Sequence, residues 1–333
     1  MHTSRLALTA TLAAGVLALA ACGAPGSGGG KAAPSTSASG GAAACAPVAG
    51  DQLTVLTDDK HLQNSDNVIP VFNAAFATAN PGAVQLLDTV SKALDTPALI
   101  ALNKAVDVDR STSSQAAATF VADKSLAAPN GSAGAGVTVV VGAANFSESA
   151  TLAEVYAAVL RSAGYAATTQ TIGSRETYYP ALVSGQVAVV PEYAATLADF
   201  INAKVNGADA ASIATPDITA TVAALTPLAQ QQGLLLGAPA AAQDQNAFAV
   251  TTAFAKEHDV ATLSDLAAAC GSLVLAGPAE CPDRPFCQVG LEKTYGLTFS
   301  DFKSYDFALI AQAVRHGDAA IGLVLSSDAT LAG

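Results

Sequence analysis

Acidic side chains stand close together at Asp58-Asp59 and again at Glu192. Paired acids can divide the general-acid and general-base roles of a hydrolase. With 27 acidic residues against 15 basic ones, however, such groups are expected on solvated loops. The four histidines, His2, His61, His258 and His316, are scattered and show neither H-E-x-x-H spacing nor a cysteine partner pattern, which argues against a zinc centre. No G-x-S-x-G elbow or phosphate-binding G-x-x-x-x-G-K-S/T loop occurs, and the glycine-rich run Gly131 to Gly136 precedes its strand, whereas a dinucleotide fingerprint follows one. What the loops do carry is neutral hydrogen-bonding groups, a few arginines and a few rings. That inventory suits holding a small molecule without transforming it, so the expectation is a binding protein that needs no cofactor and is not an enzyme.

Short β-branched runs alternate with helical periodicity, the pattern of an α/β protein with mostly parallel strands. Val137 to Val141 reads as a strand, Gly142 to Phe146 as a turn and Ser147 as an N-cap. Leu152, Val155, Tyr156, Val159 and Leu160 then recur on one helical face up to Gly164. Ala166 to Thr171 reads as the next strand, Thr177 to Ser184 as a short helix, and Gln186 to Val190 as a buried strand closed by Pro191. Loops beyond the carboxyl ends of such strands carry function, which places Ala143 to Ser147, Gly173 to Glu176 and Pro191 to Thr196 on one rim. Helices are expected after Asn80-Pro81 and Thr96-Pro97, and Ala127 to Gly136 is a linker by composition. In the last block, Ser272 to Ala276 and Ala319 to Leu325 read as strands, with a Pro- and Cys-rich loop up to Val289.

At 333 residues and 51% hydrophobic, the chain has ample material for a core. Its net charge of −12 excludes the basic footprint of a nucleic-acid binder. Residues 1–21 read as a signal peptide, with the apolar run Leu6 to Ala21 ending in Leu19-Ala20-Ala21-Cys22. That pattern predicts cleavage before Cys22, lipid on its thiol, and an extracytoplasmic protein held to the membrane by residues 22–50 as a flexible tether. The remaining Cys45, Cys270, Cys281 and Cys287 are even in number in an oxidising compartment, which favours two disulfides over a metal. If Ser272 to Ala276 is a strand, its rise of about 3.3 Å per residue carries Cys281 too far from Cys270 for a bridge. The favoured pairing is Cys45 with Cys270 and Cys281 with Cys287.

The segments VTVVVGAANFSES (137–149), GSRETYYPALVSGQVAVVPEYAATL (173–197), APAAAQDQNAFAVT (238–251), LAGPAECPDRPFCQVGLEKTYGL (275–297) and SYDFALIAQAVRHGDAAIGLVLSSDA (304–329) resemble one family. It is that of the solute-binding lipoproteins of ABC importers for glycine betaine, choline, carnitine and related quaternary amines. LTVLTDDKHLQNSDNVIPVFN (53–73) and the helices up to Leu126 resemble the family's usual C-terminal portion but here come first, so the chain looks circularly permuted. The resemblance implies a two-lobe periplasmic-binding-protein fold of type II. Lobe A would be 51–237, made of 51–126, the linker 127–136 and 137–237, with a hinge and lobe B in 238–333. Such a permuted chain would join its lobes covalently once, and a Cys45–Cys270 bridge would either restore a second tie or merely pin the tether.

The resemblance also implies a monomeric protein that closes on a small solute and hands it to ABC permease subunits. The alternative is a cell-surface sensor or interaction protein that kept the fold but not transport. By resemblance the ligand contacts are Asp66, Asn145, Phe146, Arg175, Tyr193, Gln245, Asn246, Arg284 and Ser326. At positions matching the family's aromatic cage stand Asp66, Val190, Asn246, Ala311 and Leu325, and Ala144 replaces a lysine. Phe146, Tyr178 and Tyr305 are the rings that could substitute. A cage so depleted implies a hydroxylated or phenolic ligand.

Overall fold

The computed structural model describes residues 43–129, 131–279 and 281–331. The signal peptide, Cys22 and the tether up to residue 42 lie outside the described residues. In chain order the strands are β1 (Leu53–Leu56), β2 (Val68–Asn73), β3 (Thr138–Ala144), β4 (Ala166–Gly173), β5 (Val189–Tyr193), β6 (Leu234–Leu236), β7 (Asn246–Thr251), β8 (Leu273–Gly277), β9 (Phe299–Ser304) and β10 (Ile321–Leu325). They form two five-stranded sheets, β4-β3-β5-β2-β6 and β1-β7-β10-β8-β9. In each sheet three neighbouring strands run parallel and the other two pairings are antiparallel. The sheets are therefore mixed where a mostly parallel arrangement was expected.

All six residues of β2 (VIPVFN) are buried, as a continuous apolar run requires when both sheet faces are covered. On one face Leu87, Val90, Leu99, Leu152, Tyr156 and Leu160 pack with Val139 and Val141. On the other, Ile69, Val71 and Val190 meet Leu197, Ile201 and Leu225. The second sheet has its own core, with Phe248, Phe254, Leu263, Leu275, Leu291 and Ile321 together. The linker is pinned: Gly134 donates its N–H to the Ala163 carbonyl, and a Cβ there would lie 2.2 Å from the Tyr165 ring. Among the described residues no helix is long and apolar enough to cross a membrane.

Two sequence expectations change here. Pro191 lies inside β5, opposite Pro70 of β2, instead of closing a strand. Two prolines cannot exchange N–H···O bonds, so they sit at a position where the antiparallel ladder makes none, and β3 pairs with β5 only at Val189. The second change concerns β1, assigned to lobe A but paired with β7 in the other sheet. The chain therefore passes between sheets twice, through residues 57–67 and 237–245, and these crossovers pair with each other: Asn67 bridges Gln243, Asp244 N–H donates to the Asp66 carbonyl, and Val68 N–H to that of Ala242. A lobe assignment with a single covalent junction does not survive this register.

Cys45 is bonded to Cys270 and Cys281 to Cys287. Because Cys45 lies in the core of the second sheet, where Ala44 bridges Ser272, its bond staples the N-terminal segment to that lobe. It does not tie one lobe to the other.

Candidate ligand-binding cleft

A cleft of about 370 Å³ opens where the two sheets and the paired crossovers meet. Phe146 and Tyr193 come from the first lobe, Phe286 and Leu325 from the second, and Gln63, Asn64, Asp66, Asp244, Gln245 and Asn246 from the crossovers and the start of β7. Thr196 and Asp199 of helix Ala194–Asn206 complete the polar wall.

Local folding explains how each group arrives. The predicted cap Ser147 is inside helix Ser147–Ser162, and Phe146 takes the N-cap position without a side-chain capping bond. Ser149 Oγ instead accepts the Ala144 N–H at 2.9 Å, folding the turn back on itself. Phe146 is left 44% exposed, its ring centroid 6.2 Å from that of Tyr193. Across the cleft, Phe286 is 43% exposed on the loop that the Cys281–Cys287 bond closes. Its carbonyl accepts from Gln63 Nε2 at 3.0 Å and Asn246 Nδ2 at 3.5 Å.

Acids dominate the electrostatics. Asp66 Oδ1 accepts the N–H groups of Ala195 and Thr196, at 2.8 and 3.1 Å, in the first turn of helix Ala194–Asn206, where the helix dipole favours an anion. Burial nevertheless pushes its carboxyl up to about 7, with Asp244 adding to the rise. Asp244 is raised by burial too. Asp199 is occupied with Ser212 Oγ and the N–H groups of Ile213 and Ala214. Among the described residues lining the cleft, none is Lys, Arg or His.

Of the residues expected at the site, Asp66, Phe146, Tyr193, Gln245 and Asn246 line this cleft. Asn145 and Arg175 line an adjoining recess of about 330 Å³, with Ala144, Ser174 and Tyr178, which shares the Phe146–Tyr193 wall. Arg175 is held by Glu192, with Nε 3.0 Å from Oε1 and Nη2 2.8 Å from Oε2, and Tyr178 donates its hydroxyl to the same carboxylate at 2.6 Å. Ser326 is spent on the backbone: its hydroxyl accepts from Gln245 N–H and donates to the Gln243 carbonyl. Arg284 is exposed on the disulfide loop and does not line the cleft. Of the supposed cage replacements, Asp66, Asn246 and Leu325 do line it, whereas Val190 and Ala311 are core residues, 0% and 5% exposed. Tyr305 lies at a separate hollow with Phe307.

Sequence reasoning missed Gln63, Asn64, Asp199, Asp244 and Phe286, and reached Thr196 only as the end of the rim segment Pro191 to Thr196. A phenylalanine beside Cys287 in the loop bracketed by Cys281 was the available signal, since a short closed loop holds its side chains where a partner can meet them.

The family model for the substrate binding domain of the ABC-type glycine betaine transport system matches residues 45–123 and 137–333. Among solved structures, one of a glycine betaine/carnitine/choline ABC transporter is 19% identical, with 59% of this chain and 70% of that chain covered at a TM-score of 0.43. The family match spans both sheets, both crossovers and every wall of the cleft, and the chain belongs to that family of substrate-binding domains, as an extracytoplasmic solute-binding component from a family of transport proteins and not of enzymes.

Proposed function

We propose that the cleft captures a quaternary amine that also carries a hydroxyl or comparable polar group, and that the protein delivers it to ABC permease subunits. One observation carries the reading: rings from both lobes, Phe146 and Tyr193 facing Phe286, line the same 370 Å³ as three aspartates. Ring faces and carboxylates both favour a cation, each ring adding about 0.5–2 kcal/mol, and no facing base opposes it. The amides of Asn64 and Gln245 and the hydroxyl of Thr196 serve the polar end. The hydroxylated character inferred from the sequence is thus kept, while the ring supply is larger than the aligned positions implied.

Ligand contacts from both lobes would favour a closed form over an open one, with the paired crossovers as the hinge. In this reading residues 1–21 are removed, Cys22 carries lipid, and residues 23–44 tether the domain to the membrane.

Calorimetry of the full chain with choline, glycine betaine, carnitine and a panel of polyols tests the proposal. Saturable binding of at least one quaternary amine is expected, weakened about tenfold by Phe286→Ala. Binding of polyols alone would overturn it.

A further inference from the structure

Behind Tyr193 lies an acidic pair that the ring and amide contacts leave unused. Glu148, in the first turn of helix Ser147–Ser162, is 5% exposed and accepts from the Tyr193 hydroxyl and from Asn103 Nδ2. Asn103 Nδ2 also donates to the Ser327 carbonyl at 2.8 Å, and the Ser327 hydroxyl donates to Asp244 Oδ1 at 2.8 Å. A chain of polar groups therefore runs from the first lobe, through the segment after β10, to the second crossover. Asp244 is the member that reaches the cleft.

The charges around this chain are almost all negative. Asp244 acts on Glu148, Asp328 acts on Asp244, and Asp66 feels Asp244 across the crossovers. Asp107, on the helix that carries Asn103, takes a hydrogen bond from Ser147. Arg175, whose charge reaches Asp66, is committed to Glu192. A buried carboxyl and a half-buried one, linked through Asn103 and Ser327 and without a cation, cannot both ionise cheaply. An entering cation supplies the missing charge.

We propose that the Glu148–Asp244 pair makes the cleft selective for ligands of net positive charge and takes up such a cation in exchange for a proton. The inference rests on the quaternary-amine reading of the cleft. In the empty protein, burial and the Asp244 charge push the Glu148 carboxyl up to about 7, so the pair retains a proton near neutrality. A bound cation lowers the cost of ionising the pair, and the proton leaves to solvent. A zwitterion has no net charge to offer, and its carboxylate meets no basic partner among the residues lining the cleft.

Choline and glycine betaine are titrated into the full chain between pH 5 and 8, in buffers of differing ionisation enthalpy. The choline Kd is expected to rise about tenfold for each pH unit below neutrality, where close to one proton is released on binding, and to level above it. Glycine betaine is expected to bind at least about tenfold more weakly at pH 8. Glu148→Gln and Asp244→Asn should each flatten the pH dependence. Should a variant fold poorly, the melting temperature of the ligand-free wild type provides a second reading. A raised carboxyl stabilises the fold fully below its unfolded value of 4.5 and loses that contribution as pH rises through about 7, so Tm should decline over that range. Choline binding without proton release and with a pH-independent Kd, or glycine betaine bound as tightly as choline, overturns the inference and leaves the quaternary-amine reading standing. Failure of every quaternary amine to bind at any pH removes that reading and this inference with it.

Discussion

Arg175 and Glu192 illustrate how a residue type that suits a ligand can be committed to the protein itself. By resemblance Arg175 is a ligand contact. The structure gives its guanidinium three contacts to a carboxylate whose side chain is 1% exposed, and a fourth to Thr196 Oγ1. Removing one partner of a buried pair strands the other, at a cost of about 3–5 kcal/mol. Arg175→Ala is therefore expected to lower the unfolding free energy by about that amount in denaturant titration, and a change below about 1 kcal/mol would mean that water replaces the guanidinium. Asp66 and Tyr193, which line the cleft, lie next to turns and strand ends whose direction is set by local chain chemistry. Asp244 and Phe286 escaped because an isolated acid or ring in a loop has no periodicity from which its direction could be read.

At the scale of elements, the Cys281–Cys287 loop is the piece that brings a ring from the second lobe to the cleft. The bond closes a loop of sequence separation 6, for which chain entropy predicts roughly 2 kcal/mol, while Cys45–Cys270, at separation 225, closes a loop that predicts roughly 5. Replacing Cys281 and Cys287 together by serine is expected to cost the smaller amount in unfolding and to weaken ligand binding, because Phe286 then loses its fixed position. Replacing Cys45 and Cys270 should cost more stability and leave affinity nearly unchanged. The reverse ranking in paired unfolding and calorimetric measurements would contradict this division of roles. The core strands and the helix after β3 were legible because burial imposes period 2 or 3.6 on their residues. Pairing partners were not: β1 carries the same apolar signature whether it joins one sheet or the other.

For the molecule as a whole, segments near the two ends of the described chain meet at one residue. Gly50 N–H donates to the Arg315 carbonyl, and Arg315 Nη2 donates to that of Thr330. The proposed permuted order requires termini that lie near one another. A rearranged chain that starts at Val137, runs from Leu331 into Cys45 through a short linker and ends near Leu126 is expected to fold to the same circular-dichroism spectrum and bind the same ligand. A rearranged chain that stays unfolded would show that the present order is needed for folding. By itself the sequence determined the α/β class, the secretory compartment, the absence of any basic footprint and the family, because hydropathy, periodicity and motif order are properties of neighbouring residues. Only the tertiary structure decided which sheet β1 joins, that two crossovers link the lobes, that Cys45 staples within a lobe, and that Phe286 and Asp244 face Tyr193. The first three of these depend on contacts between residues more than one hundred positions apart, such as Leu53 with Thr251 or Asn67 with Gln243, and such contacts leave no mark on the local pattern of either partner.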